Sequence, residues 1–177
     1  HDRLVGFLPA YAPMLSRLAP LVNFAQALRR HLPIIAPIMA RVTGFTAKRD
    51  LPRWSGQPFH DSEVASSATG ADAVILFADS FNRYFDPENL RAAQKVLTHT
   101  GKQVFIPASL RSRPVCCGRT YLSVGLVDKA REEARHLVEV FYPFAKQGIA
   151  IVGLEPSCTL ALRDEVPALL ADEKSRI

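Results

Sequence analysis

Six apolar residues in a row, Ala73-Val74-Ile75-Leu76-Phe77-Ala78, constrain this chain more than any other stretch. A half-buried strand alternates apolar and polar residues, whereas a strand covered on both faces reads as a short continuous apolar run. Two further runs have the same character, Gln103-Val104-Phe105-Ile106-Pro107 and Ile149-Ala150-Ile151-Val152-Gly153-Leu154. After the first run, Ser80 to Pro87 reads as a loop. A helix is expected from Glu88 to Thr100, with Leu90, Ala93, Val96 and Leu97 at helical spacing, Asp86 as candidate N-cap, Pro87 at the start and Gly101 at the stop. A longer helix is expected over 123–146. Its apolar face carries Leu126, Ala130, Ala134, Leu137, Val138 and Phe141, and its solvated face carries Lys129, Arg131, Glu132, Glu133 and Arg135. A last helix is expected over 159–170. This alternation predicts an α/β fold, a parallel sheet with flanking helices in Rossmann-like layers, whose third run is again a buried strand.

The first third of the chain differs. Pro9, Pro13, Pro20, Pro33 and Pro37 punctuate it, and a proline inside a helix breaks or kinks it. Several short helices are expected, the clearest over 21–31, with Arg29 and Arg30 suitably placed at its carbonyl end. Pro52, Gly56, Pro58, Gly70 and several serines read as connecting chain. The expected organisation is a helical, basic extension over 1–60, a linker over 61–71 and the α/β domain over 72–177. The start, His1-Asp2-Arg3, has neither Met nor the layout of a signal peptide, which suggests a piece of a longer protein.

The net charge of +5 is not spread evenly. Residues 1–60 hold eight Lys/Arg against Asp2 and Asp50, a balance of +6, and the remainder balances at −1. Nucleic-acid binding would need clustered basic residues with exposed aromatics or a known module, and neither is present. No apolar run reaches the roughly 18 residues of a membrane span. No G-x-G-x-x-G fingerprint for a dinucleotide appears. The chain has three cysteines, Cys116, Cys117 and Cys158, an odd number that suits a reducing, cytoplasmic setting.

In a parallel sheet, sites form beyond the carboxyl ends of the strands. Three segments fall there: Asp79 to Tyr84, the loop with Cys116-Cys117-Gly118, and Glu155-Pro156-Ser157-Cys158. Adjacent cysteines make a strained disulfide, so two adjacent thiols and a distant one suggest soft ligands for iron or zinc, one short of the usual four. Asp79 or Glu155 would be the candidate to complete a zinc site. Gly118 would let backbone approach a ligand, and Cys158 would sit at a helix N-terminus, where a thiolate is favoured. The same three cysteines equally suit small buried hydrophobes, since free Cys is among the most buried residue types. Glu155 reads as a turn-capping residue or a ligand contact. Arg83 and Arg119 read as surface arginines or carboxylate binders. Arg163, Asp164 and Glu165 read as a solvated helix face, and His60, His99 and His136 as surface histidines. Tyr84 and Tyr121 read as core-edge aromatics.

The segments Phe77-Ala78-Asp79-Ser80-Phe81-Asn82, Pro114-Val115-Cys116-Cys117-Gly118-Arg119, Gly125-Leu126 and Gly153 to Glu165, with Glu155-Pro156-Ser157-Cys158 at its heart, together resemble the cysteine-rich CCG domain. That domain is found in the iron–sulphur subunit of glycolate oxidase, in lactate-utilisation proteins and in heterodisulfide reductase. The likeness covers nearly the whole chain. It is most like the C-terminal part of long fused proteins with an FAD-binding oxidase domain and a ferredoxin-like 4Fe-4S segment. The full pattern has five cysteines; this chain has Ser80 at the first and Ala161 at the last.

The resemblance implies FAD and 4Fe-4S in a parent chain that oxidises a small 2-hydroxy acid of the D-lactate or glycolate type, with this domain taking part in electron transfer. It implies Cys116, Cys117, Gly118, Glu155 and Cys158 as cofactor-binding residues, with Cys116, Cys117 and Cys158 as metal ligands for an iron–sulphur cluster or zinc. The alternative is a non-catalytic docking module that has lost its metal site. Implied partners are the FAD-binding and ferredoxin-like domains of the parent, with no nucleic acid. The basic, apolar extension adds a quinone or an anionic membrane surface, and so a peripheral place on the inner face of the membrane.

Overall fold

The structure is a computed structural model that describes residues 1–32, 34–46 and 48–171. Pro33, the side chains of Arg29 and Arg30, and the tail of the α/β region from 172 lie outside the described residues.

Three strands, β1 (Ala73–Phe77), β2 (Gln103–Phe105) and β3 (Ala150–Gly153), form an all-parallel sheet in the order β2-β1-β3. Val74 stands opposite both Val104 and Ala150, and Phe77 opposite Gly153. Every residue of β1 is buried, and strand geometry divides them between two layers. Ala73, Ile75 and Phe77 point into one core with Phe105, Leu137, Val140 and Phe141. Val74, Leu76 and Ala78 point into the other with Phe59, Leu90, Val104 and Ile106. The unbroken apolar run is therefore the signature of a central strand. α6 (Pro87–His99) supplies Leu90 to one layer, and α8 (Val127–Ala145) supplies Leu137 and Phe141 to the other.

Several elements depart from expectation. β3 is not fully buried: Ala150 is exposed and Ile151 to Gly153 are half-buried, because β3 pairs only with β1 and forms an edge. Ser80 to Tyr84 is a helix, α5, rather than loop; Asp79 caps it, accepting from Phe81 N at 2.9 Å, Asn82 N at 3.0 Å and Asn82 Nδ2 at 2.7 Å. Asp86 occupies the N-cap position of α6 but makes no side-chain capping bond. The long helix, α8, begins at Val127, after a turn at Gly125 where φ is 78°, and a separate short helix, α7 (Arg119–Ser123), precedes that turn. The last helix is α9 (Pro156–Arg163) and α10 (Glu165–Leu170), broken at Asp164. Pro167 offers no N–H to the Arg163 carbonyl and crowds it, which is sufficient cause.

The first third forms α1 (Asp2–Gly6), α2 (Leu8–Arg17), α3 (Ala19–His31) and α4 (Ile35–Thr43), short helices as expected, although α2 runs on through Pro13. Pro9 and Pro20 sit in the first turns of α2 and α3, where a missing N–H is tolerated. Residues 54–65, in the stretch expected to connect, are held at several points. Trp54 is clamped by Asn23, whose Nδ2 donates to Trp54 O at 2.8 Å and whose Oδ1 accepts from Trp54 N at 2.9 Å. Ser55 N donates to Tyr84 O at 2.8 Å and Phe59 N to Arg83 O at 3.0 Å. Ala65 bridges Phe105. Thr120 Oγ1 donates to Gly6 O at 3.0 Å, which ties α1 to the head of α7.

Asp79→Ala removes an N-cap and three hydrogen bonds to a buried carboxylate, and is expected to cost about 1–2 kcal/mol in urea unfolding. Asp79→Asn, which still accepts the backbone bonds, is expected to cost less.

Candidate functional site

The strand order makes β1 the point where the winding reverses, and the crevice beyond its carboxyl end is where an open α/β sheet gathers functional groups. The chain leaves β1 through Asp79 into α5 and leaves β3 through Glu155 into α9. Between these, the Cys-Cys-Gly loop returns to the rim just before α7. The fold therefore brings together the ends of three segments that are far apart in sequence.

Cys117 and Cys158 are in direct contact, the Cys117 thiol donating to Cys158 Sγ at 3.1 Å across 41 positions of sequence. Both belong to the same core layer as Ala161 and Phe77. Cys116 is turned back on its own loop, where its Sγ accepts from Gly118 N at 3.4 Å. Cys116, Cys117 and Cys158 are 5%, 4% and 3% exposed. The Cys116 thiol is pushed well up from its ordinary value by its hydrogen bond with Cys117 and by burial. Contact with Cys116 draws the Cys117 thiol down, but contact with Cys158 and burial prevail and push it up to about 12. Both are therefore protonated thiols at neutral pH.

Gly118 adopts φ 78°, and a Cβ there would stand 2.9 Å from Ala130 O and 3.1 Å from Glu133 Cβ. The loop thus lies flat on α8, so glycine is required by packing against the protein itself. Glu155 caps α9, accepting from Ser157 Oγ at 2.8 Å and Ser157 N at 3.3 Å. Asp79 is buried, which raises its carboxyl against the opposing hydrogen bonds of Asn82 and Phe81, with the Glu155 charge adding to the rise. Cys158 is the third residue of α9.

The arginines are committed elsewhere. Arg83 is buried and donates to Phe59 O at 3.0 Å, Ala78 O at 3.2 Å and Asp61 Oδ1 at 2.6 Å. It ties the preceding segment to the end of β1 and does not line a crevice. Arg119 is paired with Glu165, so Glu165 is not simply part of a solvated face. Arg163 and Asp164 pair with each other at the surface. Tyr84 and Tyr121 are buried.

Two residues assigned to the surface lie inside. His136 is 1% exposed and Glu133 is 2% exposed. Glu133 Oε1 is paired with both Arg111, at 3.2 Å, and Arg113. His136 Nε2 lies 3.3 Å from Ser109 Oγ, which itself donates to Arg113 O at 2.6 Å. Among the described residues, Arg113 Nη1, Glu133 Oε2 and His136 Nδ1 are buried without a hydrogen-bond partner. This cluster backs the Cys-Cys-Gly loop from the α8 side. The signal was present in the sequence: Glu133 stands three residues after Ala130 and four before Leu137, on the apolar stripe.

The donor set does not fit an iron–sulphur cluster or a zinc ion. Among the described residues no three His, Cys, Asp or Glu side chains converge in a way that would hold a metal. Cys116 is turned back on the loop, Asp79 is used as a cap, Ser80 replaces one expected thiolate, and Ala161 presents a methyl group to the core where another would stand. Cys117 and Cys158 meet as a pair.

No protein-family model matches the chain, and no solved structure matches it. Curated relatives do. The chain is 31% identical over 156 residues to a subunit of the anaerobic glycerol-3-phosphate dehydrogenase of Escherichia coli (strain K12), covering 86% of this chain and 37% of that protein. It is 22% identical over 182 residues to the D-2-hydroxyglutarate dehydrogenase of the same organism, covering 98% of this chain and 17% of that protein. A Haemophilus influenzae D-2-hydroxyglutarate dehydrogenase is 23% identical over 187 residues, with the same coverage of 98% and 17%. The chain therefore spans well under half the length of the relatives it matches.

Gly118→Ala forces a left-handed backbone and a clash with a carbonyl, and is expected to destabilise the chain by at least about 1–3 kcal/mol in chemical unfolding. Burial, and then the charge of Arg111, lower the pKa of His136. The unfolded chain therefore binds a proton before the folded one does, and stability is expected to fall as pH drops below the ordinary histidine value of about 6.5. Thermal melts from pH 7.5 to 5 should show this slope, and His136→Gln should flatten it.

Proposed function

We propose that this chain is a cysteine-rich, CCG-type domain of a flavin- and iron–sulphur-dependent oxidoreductase, and that it serves that enzyme by docking and positioning its electron carriers. The observation that carries this reading is the likeness, over 86% or more of the chain, to proteins named as dehydrogenases. Their names specify glycerol 3-phosphate and D-2-hydroxyglutarate. Each is a small anion oxidised at a hydroxyl-bearing carbon, and the substrate class proposed for the parent is of that kind, a 2-hydroxy acid such as D-lactate, glycolate or 2-hydroxyglutarate. The flavin chemistry belongs to another part of the parent, since no dinucleotide fingerprint is present.

The docking role, in preference to an electron-carrying one, follows from the donor set, which does not fit a metal centre. The surface available for docking is the helical first third. Between Asp2 and Asp50 there are seven Lys/Arg and no acidic residue. Leu21, Phe24, Ile34, Ile38 and Val42 are each more than half exposed on α3, α4 and the turn between them. An apolar cavity of about 510 Å³ opens beside this surface, lined by Leu8, Tyr11, Trp54, Phe81, Phe85 and Thr120. Such a face suits the ferredoxin-like or flavin domain of the parent. A second reading, favoured by the basic charge, lays it on an anionic membrane beside a quinone acceptor. No helix among the described residues is long and apolar enough to cross a membrane.

Anaerobically purified chain is expected to hold no stoichiometric iron, zinc or sulphide. In the full-length enzyme Phe24→Glu is expected to lower turnover with the natural acceptor roughly tenfold, the loss of one interface anchor, while substrate reduces the flavin at the usual rate. Stoichiometric metal lost on Cys117→Ser, together with lost turnover, would make the domain a carrier instead.

A further inference from the structure

We propose that Cys117 and Cys158 are a reversible dithiol–disulfide pair, oxidised by a small hydroperoxide. The inference stands on the sulphur geometry and does not require the dehydrogenase reading. The two Sγ atoms are 3.1 Å apart, so closing a bond of about 2.05 Å needs only about 1 Å of movement. The two thiols come from different segments, a loop and the first turn of a helix. Their pairing is thus free of the strain that prevents Cys116 from bridging its neighbour Cys117.

Burial selects the oxidant. All three thiols are enclosed, and hydrogen peroxide, little larger than water, reaches sites that a bulky disulfide does not. The Cys117 thiol donates its hydrogen toward Cys158 Sγ, which makes the Cys158 sulphur the acceptor of the pair. Cys158 is therefore the sulphur that attacks. Its sulphur displaces on one peroxide oxygen as the thiol gives up its proton, the O–O bond breaks, and the departing hydroxide takes that proton to become water, leaving Cys158 as a sulfenic acid. The Cys117 sulphur then attacks the Cys158 sulphur. The S–S bond forms, the S–O bond breaks, and hydroxide leaves with the Cys117 proton as a second water. The sum is two thiols and one hydrogen peroxide giving one disulfide and two waters. A low-molecular-weight thiol reverses it by exchange.

The test is oxidation of the reduced, folded 177-residue chain with hydrogen peroxide, followed by alkylation and a non-reducing tryptic map. Titratable thiols are expected to fall from three to one. The chain mass should fall by about 2 Da for the two hydrogens removed, and dithiothreitol should restore all three thiols. Trypsin does not cut before Pro114, so Cys116 and Cys117 share the peptide 112–119, and Cys158 lies in 147–163. The cross-linked peptide is expected in wild type and in Cys116→Ser, and should vanish in Cys117→Ser. Cys117→Ala serves if Cys117→Ser does not fold. Three surviving thiols, a mass gain from over-oxidised sulphur without cross-linking, a link between two chains, or a link kept in Cys117→Ser and lost in Cys116→Ser would each overturn the pair. None of these readouts depends on dehydrogenase turnover, so failure here and failure of the proposed function are separable.

Discussion

The fold depends on β1 being covered from both sides. Its alternate residues serve two different cores, so neither helical layer can be removed without exposing one of them. Helical crossovers join β1 to β2 and β2 to β3, so both flank β1 in parallel, and parallel pairing sends all three carboxyl ends to one rim. The meeting of Cys117 with Cys158 is a consequence of strand direction before it is a matter of side-chain chemistry. Asp79 contributes at the same rim by capping α5 directly after β1, and Glu155 does the same for α9 after β3.

The chemistry of the rim is set by burial. Two carboxylates spend their oxygens on helix caps, and three thiols sit in a layer of apolar side chains. Burial disfavours the charged form of an acid, so Cys116, Cys117 and Asp79 are all raised. A metal centre would need the opposite, thiolates converging on one point. At the two positions where the resemblance implies further thiolates, Ser80 is half-buried at the start of α5 and Ala161 is buried in the apolar layer. What survives is a run of thiol contacts, Cys116 to Cys117 to Cys158, and a glycine turn pressed on α8.

Much of this was legible in the residues. The six-residue apolar run identified the central strand, Pro87 and Gly101 bracketed α6, and the alternation of runs and amphipathic segments gave the parallel sheet. Elements that depend on one distant contact were not legible. α5 is five residues long, too short for a periodic pattern, and exists because Asp79 caps it. The edge position of β3 has no signature in Ile149 to Leu154, which is as apolar as a central strand. Glu133 stands on the apolar stripe of α8, but nothing in the residues shows that Arg111, Arg113 and Ser109 fold over it and His136. Arg83 and Arg119 read as surface arginines or carboxylate binders; Arg83 is instead buried and paired with Asp61, and Arg119 is paired with Glu165. The resemblance named the cysteine positions, and only the geometry separates Cys116 from the pair.

Binding of arsenite, a small neutral species added while the chain refolds around its exposed thiols, to the reduced Cys116→Ser chain tests most directly whether the rim exists in solution. Such a reagent needs two thiols within reach of one arsenic atom, and in this variant Cys117 and Cys158 are the two that remain. One tightly held arsenical per folded chain, released by a competing dithiol, is the expected result. A folded chain that binds none would place Cys117 and Cys158 apart and contradict the convergence on which the site rests.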